Sequence, residues 1–365
     1  MNNQICFAAC MLLLGCKDPG KIKPINRNHT TSSSKAAIEK STNPIHYSDR
    51  ELEAFLDSIG KLPTQPLVDK VAFYADSVFL NQLPTSKTLS PEQFDLVQQA
   101  AREAVISISS AQRIFPDVAI DSICNASLID LTYQKGLVPV VYYPFNREGF
   151  DEFALCIGDP EHCPNAVLYF FKGNKIIAKH DGYSRFFGLD LKHYKDSDGR
   201  TVVYYVHEFT EGSGVWWNNY FFYKYDGDTL LPILNELQNG NLQSPWGFRI
   251  FWLESTIQKE NPLTIKMVYY VQLPDTTKPD LGSRIIDDST LVRYETSEPT
   301  KKLVARYQNS KITGSQVLSY YVEDNDLLFI NSYYKTLKKA LRDTGQKRAT
   351  LNFLNEEKNY YRDHQ

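Results

Sequence analysis

Four groups of residues in this chain have types and spacings that suit chemistry. The first is Cys156-Ile-Gly-Asp-Pro-Glu-His-Cys163, in which a glycine and a proline let the segment turn back on itself. Cys156, His162 and Cys163 are ligand types for zinc. They supply three donors where a structural site takes four, and adjacent ligands rarely both reach one ion. The second is Asp196-Ser197-Asp198-Gly199, with Asp190 upstream. The carboxylates of Asp196 and Asp198 are hard oxygen donors of the kind calcium takes, and an ordinary Asp-Gly hairpin turn accounts for the same residues. The third is His207-Glu208 with Glu211. These types do acid–base work, but neighbours on a strand point to opposite faces and make a poor pair. The fourth is Trp216-Trp217-Asn218-Asn219, with Trp246 and Trp252 further on. A tryptophan ring beside asparagine amides can stack on a sugar or a peptide while the amides hydrogen-bond to it. The alternative is that the rings cover the ends of an aromatic sheet. Gly-x-Ser-x-Gly, His-Glu-x-x-His and Walker A patterns do not occur, so the motifs assign no catalytic residue and imply no cofactor.

Leu13-Leu14-Gly15-Cys16 carries a different kind of chemistry. It closes an apolar run that starts at Ile5. The run is too short to cross a bilayer, which takes about 20 residues, and suits the hydrophobic region of a signal peptide. Branched apolar residues, a small residue and a cysteine in this order resemble the lipobox of bacterial lipoproteins. The resemblance implies that residues 1–15 are removed, that the Cys16 thiol takes a diacylglycerol and that its freed amine is acylated. Two or three chains anchor stably where one does not. Lys17, standing where an aspartate retains such proteins in the inner membrane, implies the outer membrane. Lys17-Asp18 is also similar to export signals on surface lipoproteins of Bacteroidota. Cys6 and Cys10 would leave with the signal. In an oxidising compartment Cys156 and Cys163 are then expected to form a disulfide, leaving Cys124 as a small buried apolar residue.

The net charge of −3 argues against a nucleic-acid partner. It hides an asymmetry. Residues 17–47 hold six Lys/Arg and two Asp/Glu, so this segment carries +4 and the remainder −7. Asn, Ser, Thr, Lys and Pro dominate the segment. Its apolar surface is too small to offset ordering entropy, and it reads as a flexible tether over residues 16–47.

Residues 48–110 read as helical. Ser48 and Glu51 form a capping box, followed by Leu52, Phe55, Leu56 and Ile59 on one face. Pro66 opens a second stripe with Leu67, Val71, Tyr74 and Val78. Ser90-Pro91-Glu92-Gln93 starts a third helix, continued by Phe94, Val97, Ala101 and Val105. Residues 111–332 read as an antiparallel β domain. Its turn signals are Gly173-Asn174, Asp198-Gly199 and Asp226-Gly227, each between apolar runs rich in Tyr, Phe and Val. Tyr169-Phe170-Phe171, Tyr220-Phe221-Phe222, Tyr269-Tyr270-Val271 and Tyr320-Tyr321-Val322 recur at about 50 residues, a period that propeller blades also show. The Asp196 segment loosely resembles the calcium loops of FG-GAP-type propeller repeats. Residues 333–365 read as a helical C-terminal tail.

The expected fold is therefore α+β: amphipathic N-terminal helices, then a large antiparallel meander in one continuous sheet, with β-propeller-like repeats as the alternative. The expected role is that of an envelope protein, lipid-anchored to the outer membrane and facing the periplasm or the exterior, with a binding or structural task. A glycan, a peptide or a protein is the expected ligand. A periplasmic hydrolase and an immunity-type inhibitor of a toxin are the alternatives.

Overall fold

A computed structural model describes residues 44–64, 66, 76–80, 83–115, 136–147, 149–161, 165–184, 188–212, 215–241, 250–275, 278–297, 302–308, 327, 330–331 and 333–363. The helix starts sit where the sequence places them. In α1 (Asp49–Ile59) and α2 (Pro91–Glu103) the N-cap serines, Ser48 and Ser90, exchange hydrogen bonds with Glu51 and Gln93, so both capping boxes are complete. Each satisfies N–H groups that the first helical turn leaves without an internal partner. The four stripe residues of α1, Leu52 to Ile59, are all buried. Residues 66 and 76–80 are helical, while most of the stripe expected after Pro66 lies outside the described residues.

The β region forms two antiparallel sheets, not one. The first holds β1 (Leu83–Thr88), β2 (Val105–Ser107), β3 (Leu137–Pro144), β4 (Glu152–Ile157), β5 (Val167–Lys172) and β6 (Lys175–Asp181), in the order β1-β6-β5-β4-β3-β2. Strands β3 to β6 are a meander, and β1 and β2 close its two edges. Helix α2 connects those edges, so it must cross one face of the sheet. There Phe94 packs on Phe150 and Phe153, and Phe115, after the short helix α3 (Ile108–Ile114), packs on Tyr169 and Phe171.

The second sheet is an eight-stranded meander in chain order. It comprises β7 (Lys192–Lys195), β8 (Thr201–Gly212), β9 (Val215–Asp226), β10 (Thr229–Asn241), β11 (Ile250–Glu260), β12 (Leu263–Asp275), β13 (Lys278–Thr296) and β14 (Leu303–Gln308). Its β7–β10 part packs on the first sheet, where the Tyr225 hydroxyl lies 3.2 Å from the carbonyl oxygens of both Phe153 and Phe171. On its other face lies a second apolar cluster, from Tyr194, Val202, Tyr204 and Phe222 to Ile265, Met267, Val292 and Tyr294. Strands β8 and β9 are thus buried on both faces: Val202, Val203, Tyr204 and Tyr205 are all buried in succession, as are Phe221, Phe222 and Tyr223. That is why the apolar residues come in runs here instead of alternating. The run Tyr169-Phe170-Phe171 in β5 has the same cause. The runs at Tyr169 and Tyr220 therefore mark strands sandwiched between layers, whereas β12, which holds Tyr269-Tyr270-Val271, alternates buried Ile265 and Met267 with exposed Lys266 and Val268. No propeller forms among the described residues, and Tyr320-Tyr321-Val322 lies outside them.

Both hairpins expected around the aromatic runs are present, one in each sheet. Lys172 pairs with Lys175 across Gly173-Asn174. Asp226 pairs with Thr229, so the second turn is Gly227-Asp228, one residue later than expected. Gly227 has φ +61° and a Cβ there would meet nothing within 4 Å. A Gly227→Val substitution therefore costs backbone strain alone, about 1–3 kcal/mol. A thermal melt should show the variant unfolding below the parent; an unchanged midpoint would contradict the turn.

The chain's helical ends pack together. Helix α4 (Tyr334–Ala340) and the 17-residue α5 (Lys347–Asp363) meet α1. Asn359 donates from Nδ2 to the carbonyl of Ile45 (2.9 Å) and accepts from its N–H (3.0 Å), and Asn355 accepts from the N–H of Tyr47 (3.0 Å). The Tyr334 hydroxyl donates to Asp57 (2.7 Å). The main core runs without a break from Leu52 to Leu354. No helix among the described residues is long and apolar enough to cross a membrane.

Candidate binding groove

The eight-stranded sheet is joined weakly at its middle. Strands β10 and β11 pair only over residues 239–241 with 252–254. Beyond that junction the β11–β14 half curls across the β7–β10 half, and side chains tie the halves together. The Tyr204 hydroxyl donates to Glu260 Oε1 (2.9 Å), Tyr294 to Glu236 Oε2 (2.7 Å) and Tyr220 to the Ser255 carbonyl (3.1 Å). Asn261, in the two-residue β11–β12 turn, donates to the Lys195 carbonyl (3.2 Å).

Two hollows open along this seam. The larger, about 520 Å³, has an apolar floor of Val202, Ile233, Leu263 and Leu303, with Asn261, Arg293 and Glu295 at its polar rim. The smaller, about 450 Å³, is lined by Tyr220, Thr256, Gln258 and Lys259 among others. Glu260 lines both. Three tyrosines stand in a row beneath them. The Tyr194 and Tyr204 ring centroids are 6.1 Å apart, those of Tyr204 and Tyr220 6.4 Å, and Phe222 stacks on Tyr204 at 4.8 Å. Gln258 faces no residue of β12, because the register slips between Ile257 and Lys259. Such a bulge re-aims a side chain at a strand end.

Burial sets the ionisation of this seam. It pushes the tyrosine hydroxyls of 194 and 204 well above their usual pKa, with neighbouring carboxylates adding to the effect. The Glu236 carboxyl is raised by burial, against the Tyr294 hydroxyl and the Leu237 N–H, which act to lower it. Burial alone would lower Lys224, but hydrogen bonds to Asp196 and Asp198 hold its pKa up. Hydroxyls that stay protonated are donors over the whole physiological range.

The residues singled out in the sequence fare differently. Asp196 and Asp198 do come together, but around the Lys224 ammonium, which contacts both carboxylates (3.0 Å to Asp198). Asp196 also accepts from the N–H groups of Asp198 and Arg200, both at 2.9 Å. The site expected for a cation thus holds a lysine side chain. Among the described residues no three His, Cys, Asp or Glu side chains gather as ligands for one metal ion. His207 and Glu208 pair with Asn219 and Asn218 in turn, so they take alternate faces, as the strand period requires. The His207 ring lies flat on Phe221 at 4.8 Å. Trp216 pairs with Thr210 and Asn241, and Trp217 with Phe209 and Gly240; their side chains lie outside what is described. Asn218, expected at a binding surface, is only 2% exposed. Cys156 is a fully buried free thiol in β4, its pKa raised by that burial, and its expected partner Cys163 lies outside the described residues. Cys16, Cys124, Trp246 and the 16–43 part of the tether lie outside them too.

Two features went unseen in the sequence. The groove is one, because every strand from β7 to β14 contributes to its lining, from segments up to about a hundred residues apart. The other is a buried polar chain between the sheets. His180 Nδ1 lies 3.0 Å from the Tyr205 hydroxyl, and the Tyr223 hydroxyl donates to the Phe79 carbonyl (3.2 Å). Compared with models of known families, with characterised proteins and with solved structures, the chain matches none of them.

Proposed function

We propose that this is a lipid-anchored cell-envelope protein of the outer membrane that holds a ligand in the groove of its curled sheet. The anchoring rests on one observation, the lipobox-like Leu13-Leu14-Gly15-Cys16 after a run of signal-peptide length. A coil of the 27 residues from Lys17 to Asn43 would reach about 30 Å, enough to clear the headgroups. Its positive charge would favour an anionic surface. The binding role is supported by the two hollows, whose volumes fall in the range of about 300–1,000 Å³ usual for small-molecule sites, and by their apolar floor with polar groups around it.

Expression in a bacterial host with labelled palmitate tests the anchor. The parent should take up label and partition into detergent, and Cys16→Ser should do neither. Equal labelling and equal partitioning of the two would overturn it.

A further inference from the structure

Resting on the reading of the groove as a ligand site, we propose that the smaller hollow takes an extended peptide that pairs as an added strand with the free edge of β11. The peptide is apolar at alternate positions and acidic at the end near Lys259. The edge is free because β10 leaves it. The two strands part beyond the pair Asn239 and Glu254, and no other described strand takes the place beside residues 255–260. The hollow lies along this edge. Five residues in succession, Thr256 to Glu260, line it. A hollow over one face of a strand would touch every second residue, and the slip at Gln258 would add a single residue more. Contact with all five needs a hollow that runs beside the strand, where main-chain groups stand unpaired. Side chains already reach for those groups. The Tyr220 hydroxyl donates to the Ser255 carbonyl (3.1 Å), and Gln258 Nε2 lies 3.5 Å from the Thr256 carbonyl oxygen.

The edge selects the ligand class. Donors and acceptors alternating at the strand repeat of about 3.3 Å are what another strand supplies and a sugar chain does not. Of the two edges at the split, that of β11 is the one open to pairing. Strand β10 carries Pro232, and its register shifts between Pro232 and Leu234 and again between Leu237 and Asn239. Proline and bulges keep an edge from accepting a strand. Strand β11 holds an unbroken register with β12 from Ile250 to Ile257. The guest's alternation follows that of its host. Ser255 is buried and Ile257 packs on the second apolar cluster, while Thr256 between them is exposed. The acid follows from Lys259, which is exposed and in no ion pair with a described residue. Lys192, the other cation of this hollow, is paired with Asp190 at 2.9 Å.

The test titrates the full chain calorimetrically, in a detergent without a sugar headgroup, with the amidated peptide acetyl-Thr-Val-Thr-Val-Thr-Glu. Its comparators are the same peptide ending in Lys, one analogue N-methylated at both valines, one N-methylated at the second and third threonines, and maltohexaose. Gln258→Trp, which fills the hollow, and Lys259→Glu are the variants. Both residues are exposed, so neither change should move the melting temperature. The Glu peptide should bind more tightly than the Lys peptide, and Lys259→Glu should reverse that preference. One N-methylated analogue should bind as the parent peptide does and the other about ten-fold or more weakly, because alternate N–H groups of a strand point to one edge. Gln258→Trp should weaken the parent peptide by at least about as much. Equal binding of the parent peptide and both N-methylated analogues would overturn the strand pairing. An unreversed preference would overturn the acidic end. Peptide binding that Gln258→Trp leaves unaltered would overturn the assignment to this edge. Binding of maltohexaose alone, weakened by Gln258→Trp, would overturn the ligand class and leave the groove as a binding site. No binding by any of these probes would overturn both.

Discussion

Phe171→Ala is expected to lower the unfolding free energy by about 3–5 kcal/mol. Phe171 is fully buried on the helix-facing side of β5. Its ring stacks on Phe153 with centroids 4.5 Å apart and planes 7° from parallel, and meets Phe115 edge-on at 6.4 Å. These neighbours belong to separate elements. Phe153 is fixed by the β4 ladder and Phe115 by its place after α3, so neither can move in to fill the hole. The cavity therefore stays open, and the cost falls at the upper end of large-to-small core changes. Phe171→Leu keeps most of the volume and should cost under half as much. Urea unfolding of the three proteins measures both, and an alanine variant within 1 kcal/mol of the parent would contradict this packing.

The second large effect depends on pH. His180 is 4% exposed, sits under Phe170 and Tyr223, and bonds to the Tyr205 hydroxyl. Burial pushes its pKa down to about 3, with the nearby His207 contributing in the same direction. The unfolded chain protonates this histidine near pH 6.5, the folded protein only near 3. As pH falls through that window the unfolded state binds the extra proton, so stability present above pH 6.5 is lost down to pH 3. The loss from this one group amounts to up to about 5 kcal/mol. His180→Gln keeps a polar partner for Tyr205 but cannot titrate. Between pH 7 and pH 3 the variant should lose correspondingly less stability than the parent, whatever the carboxylates contribute to both. Parallel slopes of unfolding free energy against pH would show that His180 is not held neutral.

Local signals were readable in the sequence, and non-local pairings were not. Ser48/Glu51 and Ser90/Gln93 mark helix starts because a capping box needs only residues three apart. Gly173-Asn174 marks its turn for the same reason, and Gly227 lies in its turn even though the turn begins one residue later than expected. The division into two sheets could not be read this way. It depends on Leu83–Thr88 joining β6 nearly a hundred residues on, through a segment that holds a proline, a lysine and one apolar residue. The aromatic runs were legible as strands but not as central layers, since period alone does not say what covers the second face. Helix α5 falls within the tail read as helical, although its buried stripe mixes Thr350, Glu357 and Asn359 with Phe353 and Leu354. The groove was invisible because its tyrosines and Glu260 read singly as ordinary core and surface residues, and only the curl of the sheet brings them together.

The clasp between Ile45 and Asn359 decides how the molecule bears tension. A pull along the chain from its N-terminal side enters the fold at residues 45–47, where Asn359 and Asn355 grip the backbone from the last helix. From there the load passes through α5, whose preceding Gln346 donates to the Arg284 carbonyl on β13. The covalent chain also carries that load from residue 47 into α1 and on toward β1, so the clasp adds a second, non-covalent route from the chain's entry to its last helix and to β13.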